Sequence, residues 1–99
     1  MHPTDALREA DKRVLWHPFT PHQRWASSDP LVIARGEGCW LYDTDGRAYL
    51  DGVSSLWTNV HGHGHPALDA AVRDQLDALA HSTMLGLTHP TAIRFAEAL

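Results

Sequence analysis

The chain has 99 residues, of which 43% are hydrophobic and 20% charged, and its formal net charge is −4. This length suits one small domain, and the composition is that of a globular protein, which excludes disordered and collagen-like chains. The acidic balance, with no basic run, argues against a nucleic-acid partner. A single cysteine excludes an internal disulfide, and no apolar stretch reaches the ~18 residues of a membrane span, so we expect a cytoplasmic protein.

The first third of the chain predicts a short helix followed by an irregular segment. Thr4 is a favoured N-cap residue and precedes apolar residues at helical spacing, which predicts a helix as far as Val14. Three prolines between residues 16 and 30 each remove an amide donor and restrict the preceding residue. An extended, irregular path is therefore predicted there.

The middle of the chain predicts a three-stranded antiparallel sheet. β-Branched and aromatic residues alternate with glycines, and the Asp45-Gly46 pair is typical of a hairpin turn. Trp40 and Tyr42 share one face of a strand and are interpreted as core or sheet cover, while Cys39 is expected to be buried. The strands are predicted near 31–35, 38–43 and 47–51.

The remainder predicts two helices and two loops. Residues 53–65 follow neither helical nor strand periodicity, so a loop is expected. Pro66 begins the most regular helix, which reaches Leu79, and a loop over 81–89 leads to another helix from Pro90. The apolar stripe of this last helix is interrupted at Leu99 without a cap, which predicts an N-terminal piece of a longer polypeptide.

Alternating histidines raise the possibility of a metal site in HGHGHP. The spacing of His61, His63 and His65 does not match closed zinc sites, which use cysteine pairs or histidines one helical turn apart. Histidines that bond to the backbone, one of them capping the helix at Pro66, are the preferred interpretation. A small metal-binding or protein-binding module remains the non-enzymatic alternative.

The loop over 53–65 also contains serines and a tryptophan. Ser54 and Ser55 lack the G-x-S-x-G context of a nucleophile, so a polar turn is expected. Trp57 has two open interpretations, since a large flat side chain in a loop either plugs a neighbouring domain or lines an organic ligand pocket.

Four segments of the chain carry a family resemblance. They are LWHPFT (15–20), GEGCWLYDTDGRAYLDG (36–52), VSSLWTNVHGHGHPALDAAVRDQL (53–76) and HSTMLGLTHPTAIRFAEAL (81–99). Together they resemble the N-terminal part of a class III aminotransferase, and the resemblance extends over nearly the whole chain from about Asp11. The combination of WHPFT, DGVSSLW and the HST segment is much more specific, and it resembles the branch that acts in biotin biosynthesis.

This resemblance implies an α/β fold of type I among pyridoxal-phosphate-dependent transferases, acting as a homodimer on small molecules. Residues 1–99 would form the N-terminal, small-domain portion, and the large cofactor-binding domain would lie outside them. The implied reaction aminates 8-amino-7-oxononanoate to 7,8-diaminononanoate, with adenosylmethionine or lysine as donor. Another class III omega-amino acid aminotransferase is the alternative.

The resemblance also implies which residues contact substrate. Phe19, Leu56 and Trp57 are implied to line the pocket, whereas Thr83, Met84 and Gly86 are implied to approach the partner subunit's pocket. Members that use adenosylmethionine typically carry Tyr at the Phe19 position and Trp at the Leu56 position. This chain therefore lacks one hydroxyl group and one indole ring there.

The covalent chemistry of the family is not expected within these residues. Transamination needs a lysine that bonds to the cofactor and an acid beside its pyridine nitrogen. Lys12 is the only lysine, and its charged neighbours predict an exposed, solvated ammonium group. No catalytic, cofactor-binding or metal-binding residue is assigned within 1–99, and these residues alone are predicted to be inert.

Overall fold

The computed structural model describes residues 2–99 and divides into two compact units, the first ending at His65 and the second beginning at Pro66. The first unit contains α1 (Pro3–Val14), α2 (His22–Ala26), β1 (Ile33–Glu37), β2 (Trp40–Asp43), β3 (Ala48–Leu50) and the one-turn element α3 (Ser54–Trp57). The second unit contains α4 (Pro66–Ala78) and α5 (Pro90–Ala98). The predicted succession of a short helix, a three-stranded sheet and two later helices is confirmed.

Helix α1 begins earlier than predicted, because His2 and not Thr4 is its N-cap. The His2 Nδ1 atom accepts the backbone N–H of Thr4 at 3.3 Å, and Pro3 occupies the first turn, where an amide donor is not needed. Thr4 is instead buried and donates its hydroxyl to Asp45 Oδ1 at 2.8 Å, while sharing a hydrogen bond with the Thr44 hydroxyl. Thr4 thus ties α1 to the hairpin turn after β2.

The prediction of an irregular path over 16–30 is wrong at α2. The carbonyl of Pro21 accepts the backbone N–H groups of Arg24 and Trp25, each at 3.0 Å. Proline has a fixed φ and no backbone N–H group, so it is well suited to the position just before a helix. A five-residue helix has too little periodicity to be recognised from sequence.

The sheet has the order β1-β2-β3, with both neighbouring pairs antiparallel. The β1–β2 register shifts between Ile33 and Arg35, which shortens the regular ladder relative to the prediction. The Arg35 guanidinium lies 3.7 Å from the centre of the Tyr42 ring, its cross-strand partner. Cys39, between the first two strands, is exposed, so the expectation of a buried cysteine is wrong.

A buried carboxylate organises the β2–β3 hairpin. Asp43 Oδ1 accepts the backbone N–H groups of Asp45 and Arg47, and Oδ2 accepts the Tyr49 hydroxyl, all at 2.9 Å. Burial alone would raise the pKa of Asp43, but these hydrogen bonds outweigh it and the pKa is lowered. The bond to Asp43 in turn raises the pKa of Tyr49.

Side-chain hydrogen bonds cap α5 of the second unit and join it to α4. His89 caps α5 by accepting the Ala92 N–H at 3.3 Å, and Thr91 donates its hydroxyl to Gln75 of α4 at 2.7 Å. The predicted helices from Pro66 and Pro90 are confirmed. None of the helices formed by residues 2–99 combines the length and the hydropathy needed to cross a membrane.

Large apolar side chains lie on the surface of both units. Within residues 2–99 no hydrophobic side chain is buried, and the two buried residues, Thr4 and Asp43, are both polar. Val72 of α4 and Phe95 of α5 are 60% and 66% exposed. Large apolar side chains exposed in such numbers are normally covered by another protein element.

Gly36 supplies a test of the packing around the sheet. A Cβ atom at this position would lie 2.7 Å from His63 Cγ and 2.9 Å from His63 Nδ1. We therefore expect Gly36→Ala to lower the free energy of unfolding by about 1–3 kcal/mol, the usual effect of overpacking. Urea denaturation checks this, with Gly52→Ala as the matched control because nothing lies within 4 Å of a Cβ there. Equal stability of the two variants would contradict the proposed contact.

Candidate functional site

Element α3 is a left-handed helical turn. Residues 54–57 all have positive φ, between 48° and 66°, and the ψ angles of Ser55 and Leu56 are 53° and 54°. The backbone N–H groups of Trp57 and Thr58 bond to carbonyls four residues earlier at 2.8 and 3.0 Å. This turn corrects the prediction of a plain loop. Left-handed helical geometry costs about 1–2 kcal/mol per residue for L-amino acids and is most unusual for bulky side chains such as Leu56.

The side chain of Asp51 holds this turn through hydrogen bonds. It is only 4% exposed. The Oδ1 atom accepts the Ser55 backbone N–H at 2.9 Å, and Oδ2 accepts the Ser55 hydroxyl at 2.7 Å and lies 2.8 Å from His63 Nε2. The backbone and hydroxyl bonds from Ser55, followed by the contact with His63, lower the pKa of Asp51 in spite of its burial. The turn is thus fixed by an ionised carboxylate.

The histidine-rich loop reaches the turn through His63. Its backbone exchanges two hydrogen bonds with Gly38, at 2.9 and 2.8 Å, and its ring lies against Gly36. The expectation that these histidines bond to the backbone is therefore wrong for the His63 ring, which faces the Asp51 carboxylate. Residues 2–99 contain no group of three or more His, Cys, Asp or Glu side chains arranged to hold a metal ion.

The predicted substrate-contacting residues of the first unit share two unusual properties. Phe19, Leu56 and Trp57 are fully or largely exposed, Trp57 at 80%, and Phe19 also has a positive φ of 49°. They are three of the five non-glycine residues with positive φ in the described part of the chain. Strained backbone of this kind is concentrated at functional sites. The sequence contains no signal for this strain.

A half-buried carboxylate, that of Asp11, fixes the segment that carries Phe19. Asp11 Oδ2 accepts the Trp25 indole N–H at 2.7 Å, and Oδ1 lies 2.9 Å from His17 Nε2. The His17 and Trp25 rings are in contact, with centroids 4.2 Å apart. The hydrogen bond from Trp25, assisted by His17, lowers the pKa of Asp11 against the opposing effect of burial. These contacts join α1, α2 and the WHPF segment.

Asp11 and Asp51 each line a concave region. A groove of about 450 Å³ has the size of a small-molecule site but includes none of the predicted substrate contacts. A cleft of about 90 Å³ behind α3, which includes Asp51 and Ser54, is too small for an organic substrate. The groove is lined by Leu7, Ala10, Asp11, Val14, Leu15, His17, Trp25, Pro30, Leu31, Val32 and Ile33.

The remaining predicted site residues lie in the loop between α4 and α5. Thr83 accepts the backbone N–H of Leu85 on its hydroxyl oxygen at 3.1 Å, and Gly86 has a φ of 75°. Met84 is 55% exposed. This loop presents apolar side chains to its surroundings, as a contact surface does.

Lys12 is less exposed than predicted. Its side chain is only 17% exposed, and its Nζ atom lies 3.3 Å from Glu9 Oε1, one turn earlier on α1. The expectation of a freely solvated ammonium group is wrong, because the aliphatic stem is covered while the charge is paired at the helix surface.

The family of the chain follows from comparison with known proteins. Residues 22–99 match the family model described as aminotransferase class-III, and the chain belongs to the class III aminotransferases. Within that family it is 49% identical over 96 residues to the adenosylmethionine-8-amino-7-oxononanoate aminotransferase of Geobacter sulfurreducens. The alignment covers 97% of this chain and 21% of that protein, so the chain spans about a fifth of the length of the curated relatives it matches.

Solved structures have the same fold over this segment. The crystal structure of adenosylmethionine-8-amino-7-oxononanoate aminotransferase from Methanocaldococcus jannaschii superposes with a TM-score of 0.91 at 39% identity, over 95% of this chain and 22% of that one. An omega transaminase from Pseudomonas jessenii, solved in complex with PMP, gives 0.86 at 30% identity, over 93% and 20%. The fold type implied by the sequence resemblance is confirmed.

Asp11 predicts an acid-sensitive stability. Its folded pKa lies below the value of an unfolded aspartate, about 3.9. The stabilisation of the folded state by Asp11 is therefore complete above the unfolded pKa. It is lost as the pH falls through the lower, folded pKa. We expect the melting temperature of Asp11→Asn to fall less steeply than that of the wild type between about pH 5 and pH 2. Thermal scans by circular dichroism check this.

The control for that experiment is Asp29→Asn, which removes the same charge from an exposed residue. Its melting temperature should follow the wild-type curve throughout. Parallel curves for the wild type and Asp11→Asn would show that the Trp25 and His17 contacts do not stabilise the carboxylate.

Proposed function

We propose that this chain is the N-terminal, small-domain portion of a pyridoxal-phosphate-dependent aminotransferase. In this proposal the whole protein aminates 8-amino-7-oxononanoate to 7,8-diaminononanoate in biotin biosynthesis, with adenosylmethionine or lysine as donor. The observation that carries the proposal is the strained α3 turn, which presents Leu56 and Trp57 on the surface of a class III aminotransferase segment. The name of the Geobacter relative supports the substrate assignment.

The described residues do not fit the cofactor itself. Lys12 is paired with Glu9, and the side chains of His2 and His89 each accept one amide in the first turn of α1 and of α5, where a phosphate would otherwise bind. We therefore assign the covalent and phosphate-binding groups to other parts of the protein. Bound there, pyridoxal phosphate would supply the electron sink that amino transfer requires.

The role that we assign to this segment is recognition of the substrate chain. Phe19, Leu56 and Trp57 offer apolar side chains, and none of them carries a group that titrates near neutral pH. Contact with the aliphatic part of a substrate would remove water from both surfaces and orient the reacting end toward the cofactor. In the proposed homodimer, residues 83–86 would complete the partner subunit's pocket.

Two residues favour an alternative within the same class. Phe19 lacks the phenolic hydroxyl, and Leu56 the indole, that the resemblance associates with adenosylmethionine as donor. The match to the Pseudomonas jessenii omega transaminase is consistent with a simpler amine donor. The alternative function is an omega-amino acid aminotransferase with a small keto acid as acceptor.

A donor and acceptor panel on the whole protein tests these proposals. The panel pairs adenosylmethionine, lysine and a simple omega-amine with 8-amino-7-oxononanoate or pyruvate. We expect amination of 8-amino-7-oxononanoate, and a roughly ten-fold gain in kcat/KM for adenosylmethionine in the Phe19→Tyr, Leu56→Trp double variant, because a stacking face and a hydroxyl are restored. Lysine and the omega-amine, which have no ring to stack, are the internal controls.

One result of the panel would decide against the main proposal, and another against the role of positions 19 and 56 in donor recognition. Turnover with pyruvate but none with 8-amino-7-oxononanoate would establish the alternative. Equal gains for all three donors in the double variant would show that these positions do not recognise the adenine-bearing donor.

Trp57 provides a direct test of the recognition role. We expect Trp57→Ala to lower kcat/KM by a factor that corresponds to a loss of at most about 1–3 kcal/mol of transition-state stabilisation. The reason is that apolar contact is lost while the reacting groups are unchanged. Trp16→Ala is the matched control, since Trp16 is similarly exposed but its ring contacts His22. Steady-state kinetics that are unchanged in Trp57→Ala would remove Trp57 from the site.

A further inference from the structure

We propose that Asp51 and His63 are positioning residues that latch the α3 turn and thereby set the position of Leu56 and Trp57 for substrate binding. We call the contacts among Asp51, Ser55 and His63 the turn latch. The substrate named in this inference rests on the proposed function, whereas the latch itself is defined by contacts within the first unit.

The first argument is that the turn requires an external restraint. Four consecutive non-glycine residues are left-handed, each at a cost of about 1–2 kcal/mol relative to ordinary backbone. Such a conformation persists only where the surrounding structure determines it. The two i to i−4 hydrogen bonds of the turn are also available to a right-handed helix, so they do not select the left-handed form.

The second argument is that Asp51 selects this form from a fixed position. Its own N–H bonds to the Cys39 carbonyl at 2.8 Å, which anchors Asp51 beside the sheet just after β3. Its carboxylate then takes both the backbone N–H and the hydroxyl of Ser55, the second residue of the turn. A bidentate contact of this kind fixes the orientation of Ser55, and with it the direction in which the next two side chains leave the backbone.

The third argument concerns His63, which completes the latch from another part of the chain. Its backbone is paired in both directions with Gly38, and its ring spans the distance from Gly36 to Asp51 Oδ2. The glycine at 36 leaves room for the ring, because a Cβ there would collide with it. The histidine-rich loop is thereby coupled to the turn through Asp51, which lies 12 residues before His63 in sequence.

A comparison within the chain separates this role from simple stabilisation. Asp43 is also a buried carboxylate with three hydrogen-bond donors, but all three belong to the hairpin that it closes. The contacts of Asp51 lead instead to two exposed apolar side chains. Loss of either carboxylate should destabilise the protein, but only loss of Asp51 should displace Leu56 and Trp57.

The test uses the whole enzyme with its cofactor and compares Asp51→Asn with Asp43→Asn. We expect Asp51→Asn to raise KM for 8-amino-7-oxononanoate roughly ten-fold while kcat changes less than about two-fold, since binding and not chemistry depends on the turn. Asp43→Asn should lower the melting temperature and leave KM within about two-fold of the wild type. His63→Ala, which keeps both Ser55 bonds, should raise KM in the same direction by a smaller factor.

A second measurement reports on the turn without relying on activity. The near-ultraviolet circular dichroism of Trp57 is obtained as the difference between each protein and the same protein with Trp57→Phe. We expect this difference signal to be present in the wild type and in Asp43→Asn, and to be lost in Asp51→Asn. Should Asp51→Asn not fold, His63→Ala carries both measurements.

The outcomes distinguish the latch from the proposed function. A wild-type protein that is inactive on every donor and acceptor overturns the proposed function, and the Trp57 signal then still decides whether the latch exists. An unchanged Trp57 signal in Asp51→Asn, or equal KM changes in Asp51→Asn and Asp43→Asn, overturns the latch whatever the substrate proves to be.

Discussion

The candidate site depends on one carboxylate, that of Asp51. The turn it holds has a left-handed backbone in every residue, and the side chains of Leu56 and Trp57 are largely exposed. An ionised acceptor that bonds twice to Ser55 offsets this strain where it arises, at the backbone. The lowered pKa of Asp51 is the electrostatic counterpart of the same contacts, because donors that favour the charged form also resist its protonation.

The same arrangement recurs at three junctions of the first unit. Asp11 joins two helices, Asp43 closes the hairpin, and Asp51 holds the left-handed turn, each by accepting N–H or O–H donors from residues outside its own element. All three have a lowered pKa. Within residues 2–99, where no apolar side chain is buried, these polar junctions fix local geometry and leave the apolar faces available for contacts elsewhere.

The elements that could be predicted are those specified by neighbouring residues. Helices α4 and α5 follow from a proline at the start and an apolar stripe, and the hairpin follows from Asp45-Gly46. The missed features depend on distant partners. Thr4 bonds to a residue 41 positions away, and the α3 turn is held partly from His63, so no local pattern contains either one.

The resemblance to the family identified residues but not their geometry. It pointed to Phe19, Leu56 and Trp57, yet gave no indication that each has a positive φ. For the histidines, the sequence indicated a role that the structure does not show. Their spacing raised the possibility of metal ligands, whereas the His63 ring contacts Asp51 and supports a turn. Histidine can bind a metal ion or support a turn through hydrogen bonds, and only its partners distinguish the two roles.

A strained turn is well suited to recognition in an enzyme whose chemistry lies elsewhere. An exposed tryptophan on an ordinary loop would lose conformational freedom on each binding event, which weakens affinity. On a restrained turn, Leu56 and Trp57 lose this conformational freedom during folding and not during binding. More of the contact energy therefore contributes to substrate affinity. The identity of the side chain at position 56 can then change with the donor, because the restraint acts through the backbone and hydroxyl of Ser55 and through Asp51.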